Sequence, residues 1–221
     1  MKKLFFTIAL LLCTIGSSAW AQEVTLGVRG GANTTFGGVG AVSLEGSYDF
    51  ANRVALRGGV LWSTIGRTAV ELRPTYSHEL DWGTVSAKAI AHYTQQASIH
   101  NLAIGAGVGW SNNALFCSLG YYFRTIGGGG GRIDEPFNLF YEIGVRFLRD
   151  VEGWDLQVAL TNSDIFELER HYYPSLVALC NWSVGESTEV ICGLNYKPSG
   201  TFHMSTDLYQ IQFRTGVCYR W

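Results

Sequence analysis

The chain is poor in charge, in proline and in long apolar runs. Charged residues make up 15% of its 221 residues, and only 4 residues are proline. Such low charge together with 47% hydrophobic residues excludes an intrinsically disordered chain and argues against a coiled coil. The formal net charge of −2 gives no electrostatic basis for binding nucleic acid. No run of about 18 apolar residues occurs, which excludes an ordinary transmembrane helix.

The N-terminus has the pattern of an export signal. Lys2 and Lys3 precede an apolar stretch, Leu4 to Ile15, which is too short to span a bilayer as a helix. Ala19 and Ala21 then form the small-x-small pattern at which signal peptides are cut. We therefore predict that residues 1–21 are a cleaved signal peptide and that residues 22–221 form one domain.

Four cysteines follow the predicted cleavage site: Cys117, Cys180, Cys192 and Cys218. Exported chains meet oxidising conditions, so disulfides are open to this protein. Cys180 and Cys192 flank a predicted hairpin turn, which would let them face each other. The spacing fits no zinc or redox motif, and the interpretation we prefer is that the cysteines are small apolar residues on a lipid-facing surface.

Apolar and polar residues alternate along the rest of the chain with a period of two, which is typical of β-strands. In the last segment Ile211, Phe213 and Val217 share one face, and Gln212 and Arg214 share the other. Similar alternation occurs at 70–76, 137–147, 154–160 and 188–196, with weaker copies around Val28, Leu44, Leu56, Ala89, Ile104, Leu119 and Val177. The pattern predicts an all-β, closed antiparallel barrel of about twelve strands, or ten if 69–80 and its neighbour do not span.

Connections and aromatic residues indicate the environment of this barrel. Alternate connections look short, and the others look longer, including Thr125 to Glu135, Asn162 to Arg170 and Lys197 to Ser205. Outer-membrane barrels have this asymmetry between periplasmic turns and external loops. Tryptophans at predicted strand ends would form interface girdles: Trp62, Trp110, Trp154, Trp182 and Trp221. A soluble barrel with its apolar face inward would have to enclose too many aromatic rings.

The chain resembles bacterial outer-membrane β-barrel proteins of the small porin-like or OmpA-like kind. The resemblance is carried by Ala19-Trp20-Ala21, by the alternating strands and by the terminal segment Phe213 to Trp221. That segment resembles the C-terminal signal read by the barrel-assembly machinery. The resemblance implies this machinery and outer-membrane lipid as partners, and the outer membrane as location. In size and strand count the chain is similar to twelve-stranded porins for acidic oligosaccharides.

The polar strand faces would line the lumen if the apolar faces contact lipid. The charged residues expected there are Arg29, Arg53, Arg57, Arg73, Lys88, Arg146 and Arg214, with Glu45, Glu71, Glu142, Asp155 and Glu189. Isolated charges are very costly to bury, so these groups either border water or pair with one another. Water would make a narrow channel, whereas complete pairing would close the lumen. A slight excess of arginine favours small anions.

Three functions follow, in order of preference. The first is a narrow channel with an arginine-rich lumen for small anionic solutes. The second is a structural or surface-interaction barrel without a pore, which works through its external loops. The third is a lipid-modifying enzyme at the outer rim, for which His203, Ser205 and Asp207 are near enough in sequence. We expect no enzymatic activity, assign no catalytic or metal-binding residue and infer no cofactor, and the oligomeric state stays open.

Overall fold

The computed structural model describes residues 23–33, 37–50, 53–151, 153–164, 166–168, 174–197 and 211–220. The predicted signal peptide, Trp221 and the candidate rim residues His203, Ser205 and Asp207 lie outside these ranges. Within them, no helix has the length and apolar character needed to cross a membrane.

Twelve strands close into an antiparallel barrel, in which chain neighbours pair and the first strand closes against the last. A separate two-stranded hairpin, β10 (Ser163–Asp164) and β11 (Glu167–Leu168), lies between the ninth and tenth barrel strands. The prediction of a twelve-stranded antiparallel barrel is confirmed. The barrel strands are β1 (Glu23–Asn33), β2 (Gly37–Phe50), β3 (Val54–Ser63), β4 (Arg67–Leu80), β5 (Gly83–Gln96), β6 (Ile99–Ser111), β7 (Leu115–Gly128), β8 (Gly131–Val151), β9 (Trp154–Thr161), β12 (Ser175–Ser183), β13 (Thr188–Tyr196) and β14 (Ile211–Arg220).

The ten-strand alternative fails at β4 and β5. Each of these strands has 14 residues, which exceeds the 9–11 residues of a tilted membrane strand. They pair with each other along most of their length, from Arg67 opposite Gln96 to Leu80 opposite Gly83. Both strands therefore belong to the wall of the barrel.

The strand faces are inverted relative to a soluble protein. On β1, Leu26 and Val28 are 58% and 54% exposed, whereas Arg29 is 2% exposed. Large apolar side chains likewise cover the outside of the other strands, and polar side chains are buried inside. An exterior of this kind is stable only against lipid. The alternation observed in the sequence thus places its apolar face outward.

The two rims differ less in their connections than the sequence predicts. The strand bounds leave short connections at one rim, between β2 and β3, β4 and β5, β6 and β7, β8 and β9, and β12 and β13. We call this rim the inner rim and the opposite rim the outer rim. Three outer connections are equally short, at 64–66, 97–98 and 129–130. By the strand bounds, the long stretches of chain between barrel strands are those after β9 and β13.

The predicted loop from Thr125 to Glu135 is instead part of the β7–β8 ladder. Only Gly129 and Gly130 turn, with φ of 59° and 88°, a left-handed conformation that glycine adopts without strain. Asp134 accepts hydrogen bonds from Arg132 Nε at 2.9 Å and from Thr125 Oγ1 at 2.8 Å. The glycine run is therefore a tight turn and not a long loop tip.

The wall changes its pairing at Asn162, directly after β9. Tyr141 N donates to Asn162 Oδ1 at 2.8 Å, and Asn162 Nδ2 donates to Leu139 O at 2.8 Å. The side-chain amide of Asn162 thus supplies the hydrogen bonds that a longer β9 would have given to β8. With 8 residues, β9 is the shortest described strand of the barrel, because the chain leaves the wall here and turns into the lumen.

The four cysteines are unlinked in the structure. Cys180 of β12 lies directly opposite Cys192 of β13, as the sequence suggested, and directly opposite residues point to the same face. Such residues have Cα atoms about 4.5–5.5 Å apart, which lies within the range that a disulfide bridges.

This register predicts a selective cross-link. Oxidised glutathione, acting as the disulfide donor, should join Cys180 to Cys192 and leave Cys117 and Cys218 as free thiols. Peptide mass spectrometry of the refolded protein would identify the bond, with Cys180→Ser as the control. Alkylation of both Cys180 and Cys192 after full oxidation would contradict the β12–β13 register.

Candidate functional site

A short hairpin lies inside the barrel, formed by β10 (Ser163–Asp164) and β11 (Glu167–Leu168). Its side chains contact inward-facing residues of the wall on several strands. We call the described residues 162–164 and 166–168 the lumen hairpin. The sequence predicts this region as an external loop, and the structure corrects that expectation.

Phe166 anchors one side of the lumen hairpin and is 0% exposed. Gly59 leaves room for its ring, since a Cβ at that position would lie 2.6 Å from Phe166 Cζ. Phe166 has φ of 65°, a strained conformation that costs about 1–3 kcal/mol. Burial of the ring contributes roughly 1.5–3 kcal/mol and offsets this strain. The ring packs among residues of β2, β3 and β4, namely Val39, Ala41, Leu61 and Ala69.

Leu168 anchors the lumen hairpin to the adjoining arc of the wall. It packs among inward-facing residues of β5 to β8: Ile90, Ala103, Tyr122 and Phe140. Phe166 and Leu168 are near neighbours in the chain but contact different arcs, so the lumen hairpin crosses the interior between them.

Side chains of the wall also form hydrogen bonds with backbone groups of the lumen hairpin. Phe166 N donates to Glu71 Oε2 at 3.1 Å. Three inward arginines donate to its carbonyl oxygens: Arg73 Nη2 to Asp164 O at 2.9 Å, Arg67 Nη2 to Phe166 O at 3.4 Å, and Arg124 Nη2 to Leu168 O. Buried backbone groups need such partners, and arginine supplies them inside a lumen where no neighbouring strand can.

The two acidic residues of the lumen hairpin, Asp164 and Glu167, face β13 and β14. Each meets one cation and one amide of that arc. Asp164 lies 3.3 Å from Arg214 Nη1 and 3.5 Å from Asn195 Nδ2, and Glu167 pairs with Lys197 Nζ and lies 3.5 Å from Gln212 Nε2. Apolar packing therefore holds two sides of the lumen hairpin, and charge holds the third.

Glu71 is the centre of a buried cluster beside the tip of the lumen hairpin. Its Oε1 pairs with Arg73 Nε, and its Oε2 lies 3.0 Å from His92 Nδ1. His92 is 2% exposed, so it lies in the lumen. One carboxylate thus joins β4, β5 and the lumen hairpin.

A polar cavity of about 220 Å³ lies against the lumen hairpin. Its charged lining consists of four arginines and three acids: Arg29, Arg57, Arg73, Arg214, Glu45, Glu142 and Asp164. Glu45 pairs with Arg29 at 3.2 Å and with Arg57 at 3.1 Å. The Arg57 side chain is 57% exposed, against 2% for Arg29. Arg57 is therefore a water-facing cation in a cavity whose other charges are largely enclosed.

The structure brings most of the predicted lumen residues together. Arg57, Arg73, Glu142 and Arg214 line the cavity, and Glu71 lies in the buried cluster beside it. Two further cations lie over aromatic rings, which partly replace lost hydration. Lys88 Nζ is 5.7 Å from the Phe140 ring and 4.0 Å from Glu142 Oε2, and Arg146 lies 5.4 Å from the Phe116 ring.

Arg53 is the exception among these residues. It lies in the turn between β2 and β3 at the inner rim, with φ of 68° and an exposed side chain that contacts His78. It does not line the cavity. Strict alternation across 53–57 predicted an inward side chain, but β3 begins only at Val54, so the alternation does not extend to Arg53.

The predicted girdle tryptophans lie near the strand ends. Trp154 and Trp182 are exposed at the inner rim and stack with ring centroids 5.3 Å apart. Trp110 stacks on Trp82 at 6.1 Å at the same rim. Trp62 lies near the outer end of β3. The membrane-interface role of these rings stays a prediction.

Sequence reasoning missed the residues of the lumen hairpin. The sequence signal that could have found them is the apolar pair Ile165 and Phe166 within a polar stretch at the outer end of a strand. An external loop there has no lipid to contact, so an apolar pair needs another apolar surface. The same stretch carries Asp164 and Glu167, which meet the basic residues of β13 and β14. Inward-facing Arg67, Arg124 and Lys197 were likewise absent from the predicted lumen set.

Nothing in the described residues brings together three His, Cys, Asp or Glu side chains in a metal-binding group. The rim-enzyme hypothesis rests on His203, Ser205 and Asp207, which lie outside the described ranges. That hypothesis stays a prediction.

Solved structures provide the comparison for this barrel. A KdgM porin in complex with disordered oligogalacturonate is similar with a TM-score of 0.60 and 11% identity, over 90% of this chain and 99% of that chain. A NanC porin matches with a TM-score of 0.56 and 14% identity, over 90% of this chain and 99% of that chain. The translocator domain of the autotransporter NalP from Neisseria meningitidis matches with a TM-score of 0.55 and 12% identity, over 100% of this chain and 95% of that chain.

These likenesses define the class of the fold. No protein-family model and no curated protein matches the chain, and identities of this size carry the fold alone. The fold is that of bacterial outer-membrane β-barrels, as the resemblance in the sequence implied. Together with the apolar exterior it points to the outer membrane as the location.

The packing of the lumen hairpin predicts a large effect of Phe166→Ala. Removing a fully buried ring should lower the free energy of unfolding by about 3 kcal/mol, as measured by urea titration of the refolded protein. Phe137→Ala is the matched control, because Phe137 is 81% exposed on β8, and should have a much smaller effect. Equal effects of the two substitutions would contradict an inserted hairpin.

Proposed function

We propose that this protein is a narrow outer-membrane channel for small anionic solutes, with its lumen constricted by the lumen hairpin. The proposal includes export by residues 1–21 and assembly through the segment Phe213 to Trp221. On β14, Phe213, Val217 and Tyr219 are exposed on the lipid-facing side, where an assembly factor has access to them.

The observation that carries the proposal is the sharing of Glu45. One carboxylate pairs with two guanidinium groups, those of Arg29 and Arg57, so the group retains one positive charge. Arg57 carries that charge into the open part of the cavity. A fixed cation beside a narrow aqueous path attracts anions and repels cations, and guanidinium suits carboxylate and phosphate geometry.

The rest of the cavity suits a hydroxylated solute. Neutral donors and acceptors line it, among them Thr25, Ser43, Gln157, Asn181 and Thr215. The structural likeness to a porin in complex with oligogalacturonate supports carboxylated sugars as the class to test first.

A second candidate function is a barrel without a pore. It is favoured by the two apolar clusters and the ion pairs through which the lumen hairpin contacts the wall on most sides. In that case the lumen is a stabilising core and the outer connections carry the function.

Planar-bilayer recordings test the channel proposal. The refolded protein should give discrete current steps with a preference for anions. Arg57→Glu should lower the anion-to-cation permeability ratio by at least about twofold, since a single charge acts strongly over a few ångströms in a medium of intermediate dielectric constant.

The matched control is Arg53→Glu, the same charge reversal at a residue outside the cavity, which should leave the ratio close to that of the unmodified protein. Silence from a correctly folded barrel would favour the structural role. Equal shifts from both substitutions would remove Arg57 from the permeation path.

A further inference from the structure

Among the described residues, the paired acids of the lumen fall into two groups according to where they are anchored. One group belongs to the wall and pairs with wall cations of β1, β3, β4, β5, β7 and β14: Glu45 on β2, Glu71 on β4, Glu135 and Glu142 on β8, and Glu189 on β13. Asp164 and Glu167 belong to the lumen hairpin, and they pair with Arg214 on β14 and with Lys197 directly after β13. In the outer half of the arc formed by β13 and β14, Arg214 and Lys197 thus pair with acids of an inserted segment, whereas Arg220 at the inner end pairs with Glu189 of the wall.

We infer that this arc is an anion-binding face, which the lumen hairpin occupies as a built-in ligand and which an anionic solute takes over by replacing Asp164. The inference rests on the proposed channel function and adds a location and a mode of regulation to it.

The arc contains two matching subsites. In the inner subsite Arg214 and Asn195 hold the Asp164 carboxylate, and in the outer one Lys197 and Gln212 hold Glu167. Asn195 lies opposite Gln212 in the β13–β14 register. Lys197 follows Asn195 by two residues, and Arg214 follows Gln212 by two residues. The subsites therefore repeat a cation beside an amide, which is the donor set for a carboxylate.

The inner subsite is the point where a solute can compete. Arg214 and Asp164 both line the cavity, so an anion in the cavity reaches their ion pair without any prior movement of the lumen hairpin. The contacts are long, at 3.3 and 3.4 Å from Arg214 Nη1 to the two carboxylate oxygens, whereas charge-assisted bonds are commonly 2.7–2.9 Å.

Arg214 needs an anion in either state. Its side chain is 14% exposed, and a guanidinium at that depth is strongly disfavoured without a negative partner. Loss of Asp164 therefore has to be compensated by another carboxylate or phosphate. Exchange of one anion for the other keeps the charge balanced while it removes the inner electrostatic anchor of the lumen hairpin.

Calorimetric titration with citrate, a tricarboxylate, tests the inference on the full refolded chain in detergent. The double variant Asp164→Asn, Glu167→Gln keeps the shape of both side chains but vacates the two subsites. It should bind citrate about tenfold more tightly or better than the unmodified protein, because apparent affinity rises as the competent fraction rises. Arg214→Gln added to this variant should abolish the gain.

Asp134→Asn is the matched control, since it neutralises an exposed acid on the β7–β8 turn region, and its citrate affinity should stay unchanged. A double variant that binds citrate no more tightly than the unmodified protein would overturn the inference. Because binding is measured without current, a lack of conductance would refute the channel proposal separately.

A second measurement covers the case in which the double variant does not fold. In the otherwise unmodified chain, Ser163→Cys places a thiol on the lumen hairpin at a buried position. Citrate should increase its rate of labelling by a charged maleimide, followed on that peptide by mass spectrometry. A rate that is unaffected by saturating citrate would show that the Asp164–Arg214 pair is a permanent structural contact.

Discussion

The structure depends on how a chain can leave a barrel wall while the backbone hydrogen-bonding groups of the neighbouring strand keep their partners. At the end of β9 the amide side chain of Asn162 takes over the hydrogen bonding of β8 at Leu139 and Tyr141. This lets the next residues turn into the lumen at little cost to the wall. The contacts of the lumen hairpin, from the buried ring of Phe166 to the ion pair of Asp164 with Arg214, follow from that departure.

Inside the lumen the governing constraint is the high cost of an unpaired charge. A twelve-stranded barrel is wider than one that side chains alone fill, and narrower than a general porin. The lumen hairpin occupies the intermediate space and brings two acids to the basic arc of β13 and β14. The remaining cavity keeps Arg57 in contact with water, and we therefore regard the constriction and the charge preference as parts of one arrangement.

The sequence was sufficient for the wall and insufficient for the lumen. Two-residue alternation is a local property, so strands such as β8, β13 and β14 and their outward faces could be predicted directly. The position of Asp164 depends on Arg73 and Arg214, which lie 91 and 50 residues away, and no local pattern encodes such contacts. Arg53 shows the opposite error, in which alternation was extended past the first residue of β3 into a turn.

The central claim is that the lumen hairpin restricts the path through the barrel. The most direct measurement is unitary conductance in a planar bilayer before and after residues 163–168 are replaced by a short glycine-serine turn, with Asn162 retained to close the edge of β8. The account predicts a clearly larger conductance for the variant than for the unmodified protein. Equal conductance from two folded barrels would contradict it, because ions would then pass by a route that the lumen hairpin does not obstruct.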